Sequence, residues 1–355
     1  DITGACGLGM LLFLVLNFVY YVNYEFDLPG GAAIIAPVAV IILLLTVSGT
    51  MLISSRYRAR IHTLRPGLVQ DWAPIVLSIL LLVLPLAYLA AWDEPQPESA
   101  SEGFPIRVMS YNLHQGFDVD GYLAIEELAD TIEDQDPDII ALQEVSRGWV
   151  IDGSFDTLVW LSRRLDMTYV WGPTADSVWG SAILSRYPIL DARNEPMSNN
   201  SQLQLKRGLI VSRIDIGDGG PLTVIATHLH HLPDEGHLRD PQVRAVLKAL
   251  NNDVRSVLIG DFNALPDAPE MLLLEDAGLK DAFLYSSKDP AGGRRSTSEQ
   301  GISPRGVGHG YTWPSDNPSK RIDYIWVSSD LNTSDFSMTD NLASDHFGVA
   351  VTLAQ

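Results

Sequence analysis

Hydropathy divides the chain in two. Three apolar runs, at about 4–22, 32–53 and 73–92, fill the first part, and no Asp, Glu, Lys, Arg or His interrupts any of them. Each has about the 20 residues that a helix needs to cross a hydrocarbon core. None carries the polar face, at helical spacing, of a helix buried in a globular protein. The pattern predicts three transmembrane helices in a membrane region covering 1–92. "DEPQPESASEG", 93–103, is short, polar and proline-containing, which is the composition of a linker.

From Phe104 the period changes. Short β-rich runs alternate with amphipathic stretches, and the strand candidates are "IRVMSYNL", "DIIALQEV", "SAILS", "LIVSRIDI", "LTVIATHL", "SVLIGDF", "IDYIWVS" and "FGVAVTLA". Helices are expected near 121–135, 154–166, 238–252 and 269–277. Several strands are apolar almost throughout, so both of their faces are buried. The pattern predicts an α/β domain over 104–355, with sheet packed on sheet and helices outside. The Gly/Ser-rich stretch 286–310 reads as a long loop, mobile or part of a site rim.

Charge adds an orientation. The segment between the second and third runs carries Arg56, Arg58, Arg60 and Arg65 against Asp71, whereas the preceding loop has Glu25 and Asp27 and no base. Basic loops stay cytoplasmic, so the segment after Trp92 is expected on the outer, extracytoplasmic face of an integral membrane protein. A signal peptide fits the first run less well, because it lacks a basic leader and a small-residue cleavage site. Because the chain begins with Asp1, the expectation is a fragment or processed form, with room for further spans upstream.

The first 92 residues hold four bases and four acids of the chain's 24 and 44, so the remainder carries the whole net charge of −20. So acidic a domain repels polyanions unless cations intervene, which makes nucleic acid the less favoured partner. The domain has only five lysines, a composition that suits a high-salt habitat. Cys6 is the only cysteine, which excludes an internal disulfide and a Cys-ligated zinc site within the chain.

Polar residues recur at the ends of the apolar strands. Asn112, Glu144, His228, Asp261 with Asn263, Asp323, and Asp345 with His346 each mark a boundary of a strand rigid enough to hold a site. Taken singly, each has an ordinary explanation. Glu144 could be a solvated strand end, Asn112 a turn former, Asp261 a helix cap with Asn263 in the same turn, and His228 a core or surface histidine. Asp323 is harder to dismiss, since an unpaired carboxylate inside an apolar strand is costly. The basic pair Lys206 and Arg207 could face a phosphate or simply be exposed. His114, His230 and His231 lie near in sequence, and Trp149, Phe155, Trp171 and Trp179 are core residues or a substrate-facing rim.

"SYNLH", "LQEV", "ATHLHH", "GDFNA", "RIDYIWVS" and "SDHFGV" occur here in the order of the endonuclease/exonuclease/phosphatase superfamily, which the chain resembles over 104–355. That superfamily includes deoxyribonuclease I, apurinic endonucleases, inositol-polyphosphate 5-phosphatases and neutral sphingomyelinases. The resemblance implies a deoxyribonuclease I-like α/β/β/α four-layer sandwich and metal-assisted hydrolysis of a phosphate ester. It implies Glu144 as principal ligand of Mg²⁺, or of Mn²⁺, with Asn112 and Asp345 beside it. It also implies that Asp261 and Asn263 hold the attacking water and the phosphate. Asp323 would orient His346, and His228 would donate to a substrate oxygen. Either His346 or Asp261 would take the water's proton.

"SYNLHQGFDVDGYL" and "RRLDMTYVWGP", together with the apolar runs, also resemble the C-terminal domain of proteins that remodel the lipid of glycosylphosphatidylinositol anchors. The expected substrate is therefore a phospholipid or lipid-linked phosphate ester beside the bilayer. The competing readings are a membrane-anchored extracellular endonuclease and a non-catalytic membrane protein that binds a ligand or partner.

Overall fold

The computed structural model describes residues 94–98, 103–149, 152–197, 206–217, 219–251, 253–286 and 310–355, with scattered positions between 7 and 87. The chain forms two compact units, Asp1–Glu94 and Pro95–Gln355. The three apolar runs fall mostly outside the described residues, as does nearly all of the 286–310 loop. Where described, the runs are helical, and Met10, Leu11 and Phe18 among them are exposed. Among the described residues no helix is long and apolar enough to cross a membrane.

The second unit is built from two six-stranded mixed sheets. The first contains β1 (Ile106–Asn112), β2 (Ile139–Ser146), β3 (Thr168–Asp176), β4 (Trp179–Ser185), β11 (Asn332–Met338) and β12 (Val349–Ala354), in the order β11-β12-β1-β2-β4-β3. The second contains β5 (Ile189–Pro196), β6 (Gly208–Ile214), β7 (Leu222–His228), β8 (Ser256–Asp261), β9 (Lys280–Asp281) and β10 (Asp323–Val327), in the order β5-β6-β7-β8-β10-β9. The helices are α1 (Ile125–Gln135), α2 (Thr157–Arg164), α3 (Gly236–Leu250), α4 (Pro269–Asp276) and the short α5 (Ala282–Tyr285).

Alternation along each interior strand generates the layers. Ile106 and Val108 of β1 point between the sheets, where they meet Val224, Ala226, Val257 and Ile259. Met109 and Tyr111 point the other way and pack with Leu128 and Ile132 of α1 and Leu158 and Leu161 of α2. The second sheet does the same with Ile225, Leu258, Tyr324 and Trp326 under Val243, Val246, Met271 and Leu274 of α3 and α4. Three apolar clusters thus separate four layers. Helix ends follow their sequence signals: Asp156 caps α2 by accepting from Val159 N at 3.1 Å, and Pro269 opens α4.

The eight strands expected from the apolar pattern are the interior ones. The four it misses, β3, β5, β9 and β11, are the sheet edges. β5 is largely exposed and reads "ILDARNEP", because an edge facing water needs no continuous apolar run.

Register then sets the polar residues side by side. β7 and β8 run parallel with His228 opposite Asp261, and β10 runs antiparallel to β8 with Asp323 opposite the same Asp261. In the other sheet β1 and β2 run parallel with Asn112 opposite Gln143. Gly260 permits the close pairing of β7 and β8, since a Cβ there would lie 2.0 Å from Thr227 O. We therefore expect Gly260→Ala to cost about 3 kcal/mol or more, measured as a fall in the urea midpoint of the 355-residue chain. An unchanged midpoint would contradict this account of the register.

Candidate active site

The strand-end residues meet at one pole of the sandwich. Asn112 Nδ2 donates to Asp261 Oδ2 at 3.1 Å and to Glu144 Oε1 at 3.4 Å, and lies 3.4 Å from His346 Nε2. His228 Nε2 is 3.4 Å from Asp261 Oδ2 and 4.0 Å from Glu144 Oε1. His346 Nδ1 bonds Asp323 Oδ2 at 2.9 Å, while its Nε2 lies 3.9 Å from both Asp261 Oδ2 and Asp345 Oδ1. Residues spread from 112 to 346 therefore form one connected group.

Glu144 reaches this group through a local irregularity. Strict alternation would place it on the face of Ile140 and Leu142, under the helices. The β2–β4 register slips between Leu142 and Val145, and Glu144 takes a left-handed φ of 52°. Val145 then joins Ile140 and Leu142 in the helix-facing cluster, and Glu144 is released towards the site. Bulges commonly re-aim a side chain in this way.

Asn112 and Asn263 are placed more restrictively than their types alone indicate. Asn112 Oδ1 accepts from His114 N at 3.0 Å, so the amide faces the carboxylates with its nitrogen and keeps one oxygen lone pair. Asn263 N donates to Asp261 Oδ1 at 2.9 Å, and its Nδ2 bonds Leu229 O at 3.3 Å. Its backbone thus fixes the Asp261 carboxylate while its amide nitrogen is turned to the β7 end.

Several contributors carry no spacing signal in the sequence. Trp313 Nε1 donates to Asp345 Oδ2 at 3.1 Å, and Gln115 Nε2 reaches Glu144 Oε2 at 3.5 Å. Ser344 Oγ donates to Asn112 O at 2.7 Å and accepts from His346 N at 3.2 Å, which ties the two sequence ends of the site together. Of the basic pair, Lys206 is exposed and Arg207 is buried, with Nη1 2.9 Å from His228 Nδ1. His230 turns instead to Glu235, Nε2 to Oε2 at 2.5 Å. Trp149 and Trp179 are buried and stacked with ring centres 6.2 Å apart, and Trp179 lies 6.1 Å from the His228 ring. Trp171 packs on the core beside α2.

The two central imidazoles are pushed in opposite directions. Burial pulls His346 down, but the charge and hydrogen bond of Asp323, then Asp261 and Asp345, outweigh it and raise its pKa to about 10. Burial, then the Arg207 charge, holds His228 well below the ordinary histidine value. Burial, with the charge of Asp323, lifts Asp261 to about 7. Environments that separate the pKa values of neighbouring groups mark acid–base sites.

The group suits a hard cation. Glu144, Asp261, Asp323 and Asp345 face two imidazoles and one guanidinium, and among the described residues Asp345 Oδ1 is buried with no hydrogen-bond partner. Oxygen donors with excess negative charge fit Mg²⁺ or Mn²⁺. Asp261, Asp323 and His346 also bring one ligand-type atom each within 4.8 Å of one another. The Nδ1–Asp323 bond already occupies that side of His346, so these three read as a proton-holding set, and Glu144 and Asp345 as the carboxylates left for an ion.

A family model described as "Endonuclease/Exonuclease/phosphatase family" matches residues 109–346, and the chain belongs to that family. The family consists of phosphoester hydrolases. Solved structures share the fold. An endonuclease/exonuclease/phosphatase from Beutenbergia cavernae is 24% identical with a TM-score of 0.55, the match covering 70% of this chain and 71% of that one. The human Nocturnin catalytic domain is 23% identical with a TM-score of 0.53, covering 70% and 94%. A mannosyl-6-phosphatase from Bacteroides thetaiotaomicron is 20% identical with a TM-score of 0.53, covering 70% and 100%. No curated protein matches the chain.

His231 supplies a stability test apart from the metal. Burial, then the charges of Arg207 and His230, lowers its pKa from 6.5 to about 4. Between those values the unfolded chain binds the proton first, so this contribution is full above about 6.5 and lost as pH falls towards 4. His231→Asn should therefore lose less of its urea midpoint between pH 6.5 and 4 than the unaltered chain. Equal losses would contradict the assignment.

Proposed function

We propose that the chain is a membrane-tethered, Mg²⁺- or Mn²⁺-dependent hydrolase of phosphate esters, acting at the outer membrane face on a phospholipid or lipid-linked phosphodiester. The observation that carries the hydrolytic part is the single pole where Glu144 and Asp345 stand beside two imidazoles pushed in opposite directions, His346 up and His228 down. Glu144 and Asp345 would hold the cation, with the remaining lone pair of Asn112 Oδ1. When bound, it polarises the phosphoryl oxygens and offsets charge developing on them.

The chain's own groups do the rest. Asp323 holds the His346 ring through Nδ1 and leaves Nε2 facing the site. Asp261, fixed by the Asn263 backbone, lies 3.9 Å from that nitrogen, and its ionised carboxylate accepts the attacking water's proton. His228 Nε2 meets a non-bridging or leaving oxygen from the other side. Trp179 lies against one flank of the His228 ring, with Trp149 stacked behind it.

The lipid part rests on three features. The apolar runs have the length of membrane spans, and a linker of only about ten residues follows them. The net charge of −20 opposes a nucleic-acid backbone. Basic residues between the second and third runs orient the second unit outward.

The test is a parallel assay of the 355-residue chain with Mg²⁺ against phospholipid vesicles, inositol phosphates and DNA. We expect cleavage of a phospholipid ester, loss of turnover with EDTA, and a fall of about 10²–10⁴-fold in His346→Ala. Preference for DNA would replace the lipid reading with the nuclease. Cleavage of no phosphate ester would overturn the hydrolase.

A further inference from the structure

Arg207 immediately precedes β6, and its guanidinium is buried behind His228. Nη1 lies 2.9 Å from His228 Nδ1, Nη2 lies 3.4 Å from His231 Nδ1, and the group sits 5.8 Å from the Trp179 ring centre. A guanidinium has five N–H donors and no acceptor. Both Nδ1 atoms must therefore accept, and the hydrogen of each ring resides on Nε2. In His228 that nitrogen is the one facing Asp261 and Glu144.

The neighbouring histidine is held the opposite way. Asp323 can only accept when ionised, so His346 keeps a hydrogen on Nδ1 in either charge state. One site thus fixes two imidazoles with partners of opposite kind. We propose that Arg207 is a positioning residue whose two arms lock His228 and His231 in the Nε2–H tautomer, so that His228 always offers a hydrogen to a phosphoryl oxygen. Nη1 and Nη2 each spend one of their two N–H groups on an imidazole. A lysine could not reproduce the fork, since its ammonium lacks the planar pair of donor arms.

The catalytic consequence rests on the hydrolase reading, whereas the tautomer is a property of the chain alone. The experiment is a long-range ¹H–¹⁵N correlation spectrum of the 355-residue chain carrying ¹⁵N-histidine, with His228 assigned by its loss in His228→Asn. We expect Nε2 protonated and Nδ1 unprotonated at pH 7. In Arg207→Met the His228 signals should move to the average of both tautomers. The same variant should lower kcat about 10–100-fold on the phosphate ester cleaved by the unaltered chain, with KM changing less. Arg207→Lys, which keeps the charge and one donor nitrogen, should restore the His228 tautomer and part of kcat.

A hydrogen on His228 Nδ1 in the unaltered chain would overturn the proposal, and so would an unchanged tautomer in Arg207→Met. If Arg207→Met fails to fold, the unaltered spectrum and Arg207→Lys decide. A tautomer that moves in a chain cleaving no phosphate ester would leave the lock standing and remove the hydrolase.

Discussion

Repulsion among carboxylates is the constraint around which this site is organised. Glu144, Asp261, Asp323 and Asp345 converge on two imidazoles at a pole where Asp261 and Asp323 are almost wholly buried. Two like charges 4 Å apart repel by roughly 4 kcal/mol at the effective dielectric of such sites. The chain offsets part of this internally, through a His346 raised to about 10, an Asp261 raised to about 7, and the buried Arg207 behind His228. What remains is an excess of negative oxygen, with the buried Asp345 Oδ1 unbonded among the described residues. A divalent cation is the direct way to neutralise it.

The scaffold explains how so unfavourable a group can be held. His228, Asp261 and Asp323 occupy one row across β7, β8 and β10, and paired strands cannot slip there without moving every buried side chain to the wrong face. Asn112 and Glu144 come from the facing sheet, so the site needs both sheets packed through the cluster that includes Val108, Ala141, Ala226 and Ile259. The apolar layers stabilise the fold, and the site draws on that stability.

Much of this was legible in the sequence, for physical reasons that also mark where legibility ends. Interior strands are buried on both faces and read as continuous apolar runs, so β1, β2, β4, β6, β7, β8, β10 and β12 could be found. Edge strands such as β5 face water and lose that signal. Polar residues at strand ends were visible because they interrupt apolar runs. The aim of Glu144 was not visible, since it depends on a bulge and a left-handed φ in a residue whose parity points away. Lys206 and Arg207 looked equivalent, and only the packing separates the exposed ammonium from the guanidinium buried behind His228. Trp313 and Ser344 bond to the site residues across the fold, which no local pattern records.

If these scattered oxygens form one site, they bind a single divalent cation. Titration of the 355-residue chain with Mn²⁺, read by the loss of free-ion electron paramagnetic resonance signal, tests it without any choice of substrate. Saturable binding of one ion per chain is expected, displaced by Mg²⁺ and abolished in Glu144→Gln. Absence of specific binding, or undiminished binding in Glu144→Gln, would contradict it.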